Sequence, residues 1–249
     1  MKEMVVFMPL MDEFQQEREE MKNRSFKEKA SYFWDYYKWH VIGGTLGVII
    51  VVSLIYSFLT KKETGYYVAF INMAETWNSK EYKGEFEKLS GIDLNKEELF
   101  FDADMFLDFT KMDDATVQTT QKIMVYISAC DLDAMLGDTP AMDRYAYNDV
   151  LMDLREFLTD EEYEKYEPYF YYMDRTLLEE AAENPNVTYP EDPSDPSTMK
   201  DPVPVAILLA DCQKLREAYA CADMQYVAFL VNSEHQDINH VFLDYIFTN

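Results

Sequence analysis

The side chains in this chain with the most chemistry to offer are carboxylates, and they come in close pairs: Asp102 with Asp104, Asp113 with Asp114, Asp131 with Asp133. Two carboxylates flanking a bond can act as general acid and as nucleophile or base in glycoside hydrolysis. Residues 63–249, however, hold 39 acidic side chains against 13 basic ones, so such pairs arise from abundance and none is singled out. His235 and His240 stand five apart, which puts them on different faces of a helix and away from the spacing two metal ligands need. No G-x-S-x-G, P-loop or H-E-x-x-H occurs. No catalytic residue, metal site or cofactor is assigned. The chemistry on offer points to binding, with an extracellular hydrolase using paired acids as the enzymatic alternative.

Three cysteines, Cys130, Cys212 and Cys221, exclude a disulfide scaffold. Cys130 closes an apolar stretch and is expected in the core. Cys212 and Cys221 lie nine apart on what reads as one helix, about 13 Å along its axis and too far to bridge. An exported domain without disulfides suits a bacterial surface, and on that view the sequon Asn186-Val187-Thr188 is accidental.

These residues must be positioned by alternating strands and helices. Tyr66–Met73, Glu98–Asp102, Ala134–Leu136, Val203–Leu209 and Gln225–Val231 read as five strands. Between them, Trp77–Leu89, Asp114–Cys130, Ala141–Tyr147, Val150–Leu158, Asp160–Tyr166 and Asp211–Ala220 read as helices, and Ser233–Phe247 as a terminal one. Thr159 and Glu162 have the spacing of a capping box. Residues 184–204 carry six prolines in 21 residues and form a connector. The expected fold is α/β, a mainly parallel sheet of about five strands covered by helices in one main lobe. In such sheets ligands sit outside the carboxyl ends of the strands. That places Ala74, Glu75 and Trp77, the Gly137-Asp138 turn and Asp211 near one edge as ligand-binding candidates. Trp77 could stack on a sugar or simply pack early in its helix.

Ahead of this domain, Val41–Thr60 is a run of 20 residues without a charge, about 30 Å as a helix and enough to cross a bilayer core. Six of the eight residues Tyr32–Trp39 are aromatic, and Trp34, Tyr36, Tyr37 and Trp39 read as an interfacial belt. Lys61 and Lys62 close the far side. The 20 residues before the run hold five Lys or Arg and the 20 after it three, which favours a cytoplasmic N-terminus. The run starts too late and is too long for a cleaved signal peptide. The expected organisation is a cytoplasmic tail (1–31), belt and transmembrane helix (32–62) and an extracellular acidic α/β domain (63–249). Gly43 and Gly47 form a G-x-x-x-G pair that would let a second helix approach. The outer domain carries a balance of −26, which repels nucleic acid and anionic lipid. Membrane lipid is the expected partner, with a membrane protein or a small solute as further ones.

Lys122–Leu158 (KIMVYISACDLDAMLGDTPAMDRYAYNDVLMDLREFL) resembles a segment of type 2 periplasmic-binding-protein folds, the extracellular solute-binding proteins of ABC importers. In those folds a helix leads through a small-residue turn and an Asp into a short strand, followed by helices, and Asp131 and Asp133, Leu136–Asp138 and Leu151–Leu154 fill those places. Val227–Phe247 is similar to their late strand–"NS"–helix unit, with Asn232-Ser233 opening the helix. FWDYYKWHVI before a single span also resembles anchored Gram-positive membrane proteins. The resemblance implies a reduced solute-binding-like domain, and hence a non-enzymatic recognition protein. A structural or assembly subunit of a membrane complex, such as a transporter accessory, is the other reading.

Overall fold

The computed structural model describes residues 25–111, 113–184 and 187–248, with Glu28, Lys29, Tyr32 and Tyr36 described by backbone alone. Most of the expected tail, including Lys22 and Arg24, and Asn186 of the sequon lie outside the described residues, as does the side chain of Tyr36 in the expected belt. The chain divides into two compact units between Lys61 and Lys62.

In the first unit, helix α1 runs Phe26–Thr60, 35 residues or about 52 Å. The aromatic stretch and the apolar run are therefore one continuous helix. Its part Tyr37–Thr60 is long and apolar enough to cross a membrane, and none of its most apolar stretch is buried.

The second unit is α/β. Its strands are β1 (Glu63–Ile71), β2 (Met73–Glu75), β3 (Glu97–Met105), β4 (Ala134–Gly137), β5 (Phe170–Asp174), β6 (Pro202–Leu208), β7 (Tyr219–Cys221) and β8 (Tyr226–Phe229). Interleaved are α2 (Ser79–Leu89), α3 (Asp114–Ser128), α4 (Thr139–Ala146), α5 (Leu154–Phe157), α6 (Asp160–Tyr166), α7 (Leu178–Glu183), α8 (Gln213–Ala218) and α9 (Gln236–Phe247). Six strands form one sheet in the order β3-β1-β4-β8-β6-β5, and β2 pairs with β7 separately.

The sheet is mixed. β1 is parallel to β3 and β4, whereas β4–β8, β8–β6 and β6–β5 are antiparallel. This corrects the expected mainly parallel, five-stranded sheet, for two reasons. Strand–helix–strand alternation between β6 and β8 reads as a parallel crossover, but α8 is only six residues and the chain continues into β7, which pairs with β2. It then re-enters beside β6 from the same end. The second reason is β5, whose sequence FYYMD lacks alternation and is absent from the expected strands. Helix α8 ends at Ala218, so Cys212 and Cys221 do not share a helix. Cys130 is half-buried at positive φ (58°) just past α3 and not in the core. Of Val150–Leu158 only Leu154–Phe157 is helical, because Leu151 bridges Leu230 instead.

Strand β1 explains the core. Tyr66–Ile71 are all buried, as befits a strand covered on both faces. Tyr66, Val68 and Phe70 turn to one face and pack with Phe86 of α2 and Phe242 of α9, and Tyr67, Ala69 and Ile71 turn to the other, with Ile123 and Ile127 of α3 and Met142 and Tyr145 of α4. Rings dominate the first face: Phe70 stacks on Tyr219 at 4.0 Å, and Phe242 meets Phe86 at 5.2 Å and Tyr66 at 5.6 Å. Gly137 lets α4 close onto β4, since a Cβ there would lie 3.0 Å from that of Ala141. The Thr159–Glu162 capping box opens α6 as its spacing predicts.

The proline-rich connector is fastened along β5. Tyr172 N–H donates to Pro193 O at 2.7 Å, Tyr189 stacks on Tyr147 at 4.3 Å, and Asp174 accepts from the amides of Lys200 and Asp201.

Candidate functional site

β1, β3, β4 and β6 run in one sense, so the turns that follow them gather at one edge of the sheet. Asn72 laces three of these strand ends together. Its amide donates to Leu107 O at 3.0 Å and to Asp138 Oδ2 at 2.8 Å, and its Oδ1 accepts from Leu107 N–H at 2.8 Å. The residue sits at φ 57°, a left-handed conformation that Asn tolerates better than most. Asp138 Oδ1 in turn accepts from Ala141 N–H at 3.1 Å and caps α4. Both oxygens of this buried carboxylate are engaged, so Asp138 positions strand ends.

The other expected ligand residues are open to solvent. Trp77 is 91% exposed and precedes α2, so it does not pack into the helix interface. Glu75 lies on β2 and lines a cleft of about 570 Å³ with Phe100, Asp102, Asp104, Phe106 and Lys122. Asp211 lines a different cleft of about 680 Å³, with Gln213, Arg216 and Glu217. Thr76 ties the Glu75–Trp77 segment to the end of α8, through its N–H to Ala218 O and its hydroxyl to Glu217 O. One edge thus holds all four residues, but these clefts do not combine them.

The edge of β3 carries the clearest charge pair. Asp102 accepts from Lys122 Nζ at 2.6 Å and from Tyr67 OH at 2.7 Å. Burial alone would raise its pKa, but the ammonium, the phenol and the Asp104 amide outweigh it and leave the carboxyl below its ordinary 3.8.

A second polar cluster is internal except for His235, which is half-buried. Asp133, fully buried, accepts from Tyr67 N–H at 2.9 Å on one oxygen and from Ser233 Oγ at 2.7 Å on the other, where His235 Nδ1 also lies at 3.0 Å. Asn239 extends the chain by donating to Ser233 Oγ at 3.1 Å and accepting from Tyr66 OH at 2.7 Å. Burial drives the Asp133 carboxyl above its ordinary value, and the bonds from Ser233, Tyr67 and His235 hold it back only in part. Serine, histidine and aspartate meet here without a relay, because imidazole and hydroxyl both address the same carboxylate oxygen. Sequence spacing could not find this cluster: its members lie as much as 173 residues apart. The helix itself begins at Gln236, later than the expected Ser233.

His240 is paired with Glu162 at 3.0 Å and stacked on Phe157 at 4.3 Å. Among the described residues no three His, Cys, Asp or Glu side chains converge as metal ligands. In the first unit, Trp34, Tyr37 and Trp39 are exposed, and a Cβ added at Gly43 or Gly47 would meet open space. Compared with protein-family models, with curated proteins and with solved structures, the chain finds no match.

Proposed function

We propose that this is a single-pass protein of the cell membrane, with its N-terminus in the cytoplasm and residues 63–249 outside as a non-enzymatic recognition domain of solute-binding-like, single-lobed form. One observation carries the anchoring: Tyr37–Thr60 presents an apolar helix surface, and among the described residues none of its most apolar stretch is buried. A surface of that extent is costly in water and is matched by a bilayer core. Trp34, Tyr37 and Trp39, before the charge-free run, suit the headgroup level, and the excess of Lys and Arg before that run supports the orientation. Recognition is favoured over catalysis because Asp102, Asp133, Glu162, His235 and His240 are held in pairs, while Glu75, Trp77 and Asp211 stand open at the carboxyl edge.

Protease added to intact, wall-stripped cells tests the topology. Residues beyond Lys62 should be degraded and the tail spared; an untouched acidic domain overturns the orientation. The unobstructed Gly43 and Gly47 face supports the second reading, an assembly subunit of a membrane complex. In that case a Gly43→Ile, Gly47→Ile variant would lose a membrane partner that co-purifies with the native chain.

A further inference from the structure

The two edges of the six-stranded sheet are treated differently. At β5 the connector lies alongside and takes a backbone bond from Tyr172. At β3, among the described residues, β1 is the one ladder partner, so a strand of nine residues ends the sheet without a cover. A terminal strand keeps a row of N–H and C=O groups available for pairing. At β3 this row borders the cleft of about 570 Å³, which Glu75 of β2 and Lys122 of α3 also line, with the Asp104 N–H alone already taken within the strand, by Asp102 Oδ1 at 3.0 Å.

We infer that this groove takes an extended peptide segment of a partner protein, added to the sheet as a further strand, with lysine or arginine alternating with apolar residues. The site rests on the recognition reading above, but not on the membrane anchor. Strand addition supplies affinity through main-chain bonds and specificity through alternate side-chain pockets. The apolar pockets are furnished by Phe100 and Phe106, which are 36% and 57% exposed. The charge comes from Glu75 and Asp104 lining the cleft, with Glu97 and Glu98 further along β3. The lining cation, Lys122, is already held by Asp102 at 2.6 Å. Four acids and no base among the nine residues of β3 also argue against a second copy of this chain, since pairing β3 with itself would set like charges opposite each other. A cationic strand meets no such opposition.

The test uses the full chain in detergent micelles and a fluorescent heptapeptide alternating lysine and valine. Two further probes are the same peptide N-methylated at every backbone amide, which keeps the charge but leaves neither edge with strand donors, and a heptapeptide alternating glutamate and valine. The lysine peptide should bind, the N-methylated one should not, and Glu75→Lys with Asp104→Lys should weaken binding roughly tenfold or more at an unchanged melting temperature. Equal binding of the N-methylated peptide, or an undiminished affinity in the double variant, overturns the inference, as does preference for the glutamate peptide. Self-association of the chain that the double variant abolishes also overturns it, by assigning the edge to a second copy. If no peptide binds while a panel of sugars still raises the melting temperature, this inference falls and the recognition reading stands.

Discussion

Ser233 Oγ donates to Asp133 Oδ1 at 2.7 Å across 100 residues of sequence, and His235 Nδ1 lies 3.0 Å from the same oxygen. The pair joins the segment before α9 to the start of β4, and through Tyr67 N–H to β1. In a Ser-His-Asp triad the imidazole takes the serine proton, and this hydroxyl points its proton at a buried carboxylate instead. The cluster therefore fastens the terminal helix.

Ser233→Ala should then destabilise the α/β unit by about 1–3 kcal/mol, because it leaves Asp133 and Asn239 short of a partner in the interior. A serine-directed fluorophosphonate should leave Ser233 unmodified in the native chain. Mass spectrometry of the treated protein checks this, and a stoichiometric adduct on Ser233 would overturn the structural role given to this hydroxyl.

Asn72 performs the same office at the opposite edge, with a backbone that most residues dislike. Asn72→Ala should lose the bonds to Leu107 and Asp138 and also meet the left-handed penalty of about 1–2 kcal/mol. Asn72→Gly loses the bonds alone. Glycine should therefore be the milder change by about 1 kcal/mol in denaturant melts, despite its greater loss of chain entropy. An alanine variant as stable as the glycine one would show that the strand ends do not depend on this conformation.

The local elements were the legible part of the fold. Thr159 and Glu162 announce α6 because a cap is a three-residue matter, and Val41–Thr60 announces itself by a run free of charge. Strand direction was not legible, because it depends on where β7 goes, and β7 goes to β2, about 145 residues back in sequence. β5 was missed because Phe170, Tyr171 and Tyr172 present rings to both faces and show no period. Of the candidate site, the gathering of Glu75, Trp77, Asp138 and Asp211 at one edge followed from strand ends. That Asp138 is occupied by Asn72 is a tertiary fact, invisible to spacing.

Phe242 ties α9 to the sheet by packing against Tyr66, Phe86 and Phe101 with ring centroids 5.2–5.6 Å apart. Phe242→Ala should cost about 3–5 kcal/mol, whereas Phe242→Leu should recover much of that by refilling the volume. Thermal melts of the two variants against the parent measure the difference. Equal and small effects would mean that α9 is not needed to close this face.

The last prediction concerns pH and Lys122. In the native chain Asp102 is held below its ordinary 3.8, against its burial, by the Lys122 ammonium at 2.6 Å and by Tyr67 OH. A depressed carboxylate stabilises the fold above its unfolded value, and that contribution is lost as pH falls through the lower folded value. Lys122→Met removes the ammonium and leaves burial as the leading influence, with one phenol and one amide opposing it. The Asp102 carboxyl should then rise above 3.8 in the folded state. The sign of its contribution reverses: stability is greatest below the unfolded value and declines as pH rises through the raised one. Melting temperatures of the parent and of Lys122→Met, taken between about pH 3 and 7, should diverge as pH rises, with the variant lower at neutrality. Lys122→Arg should follow the parent, because it keeps the charge. Parallel curves for parent and methionine variant would show that the Asp102 carboxylate owes its ionisation to solvent and not to Lys122.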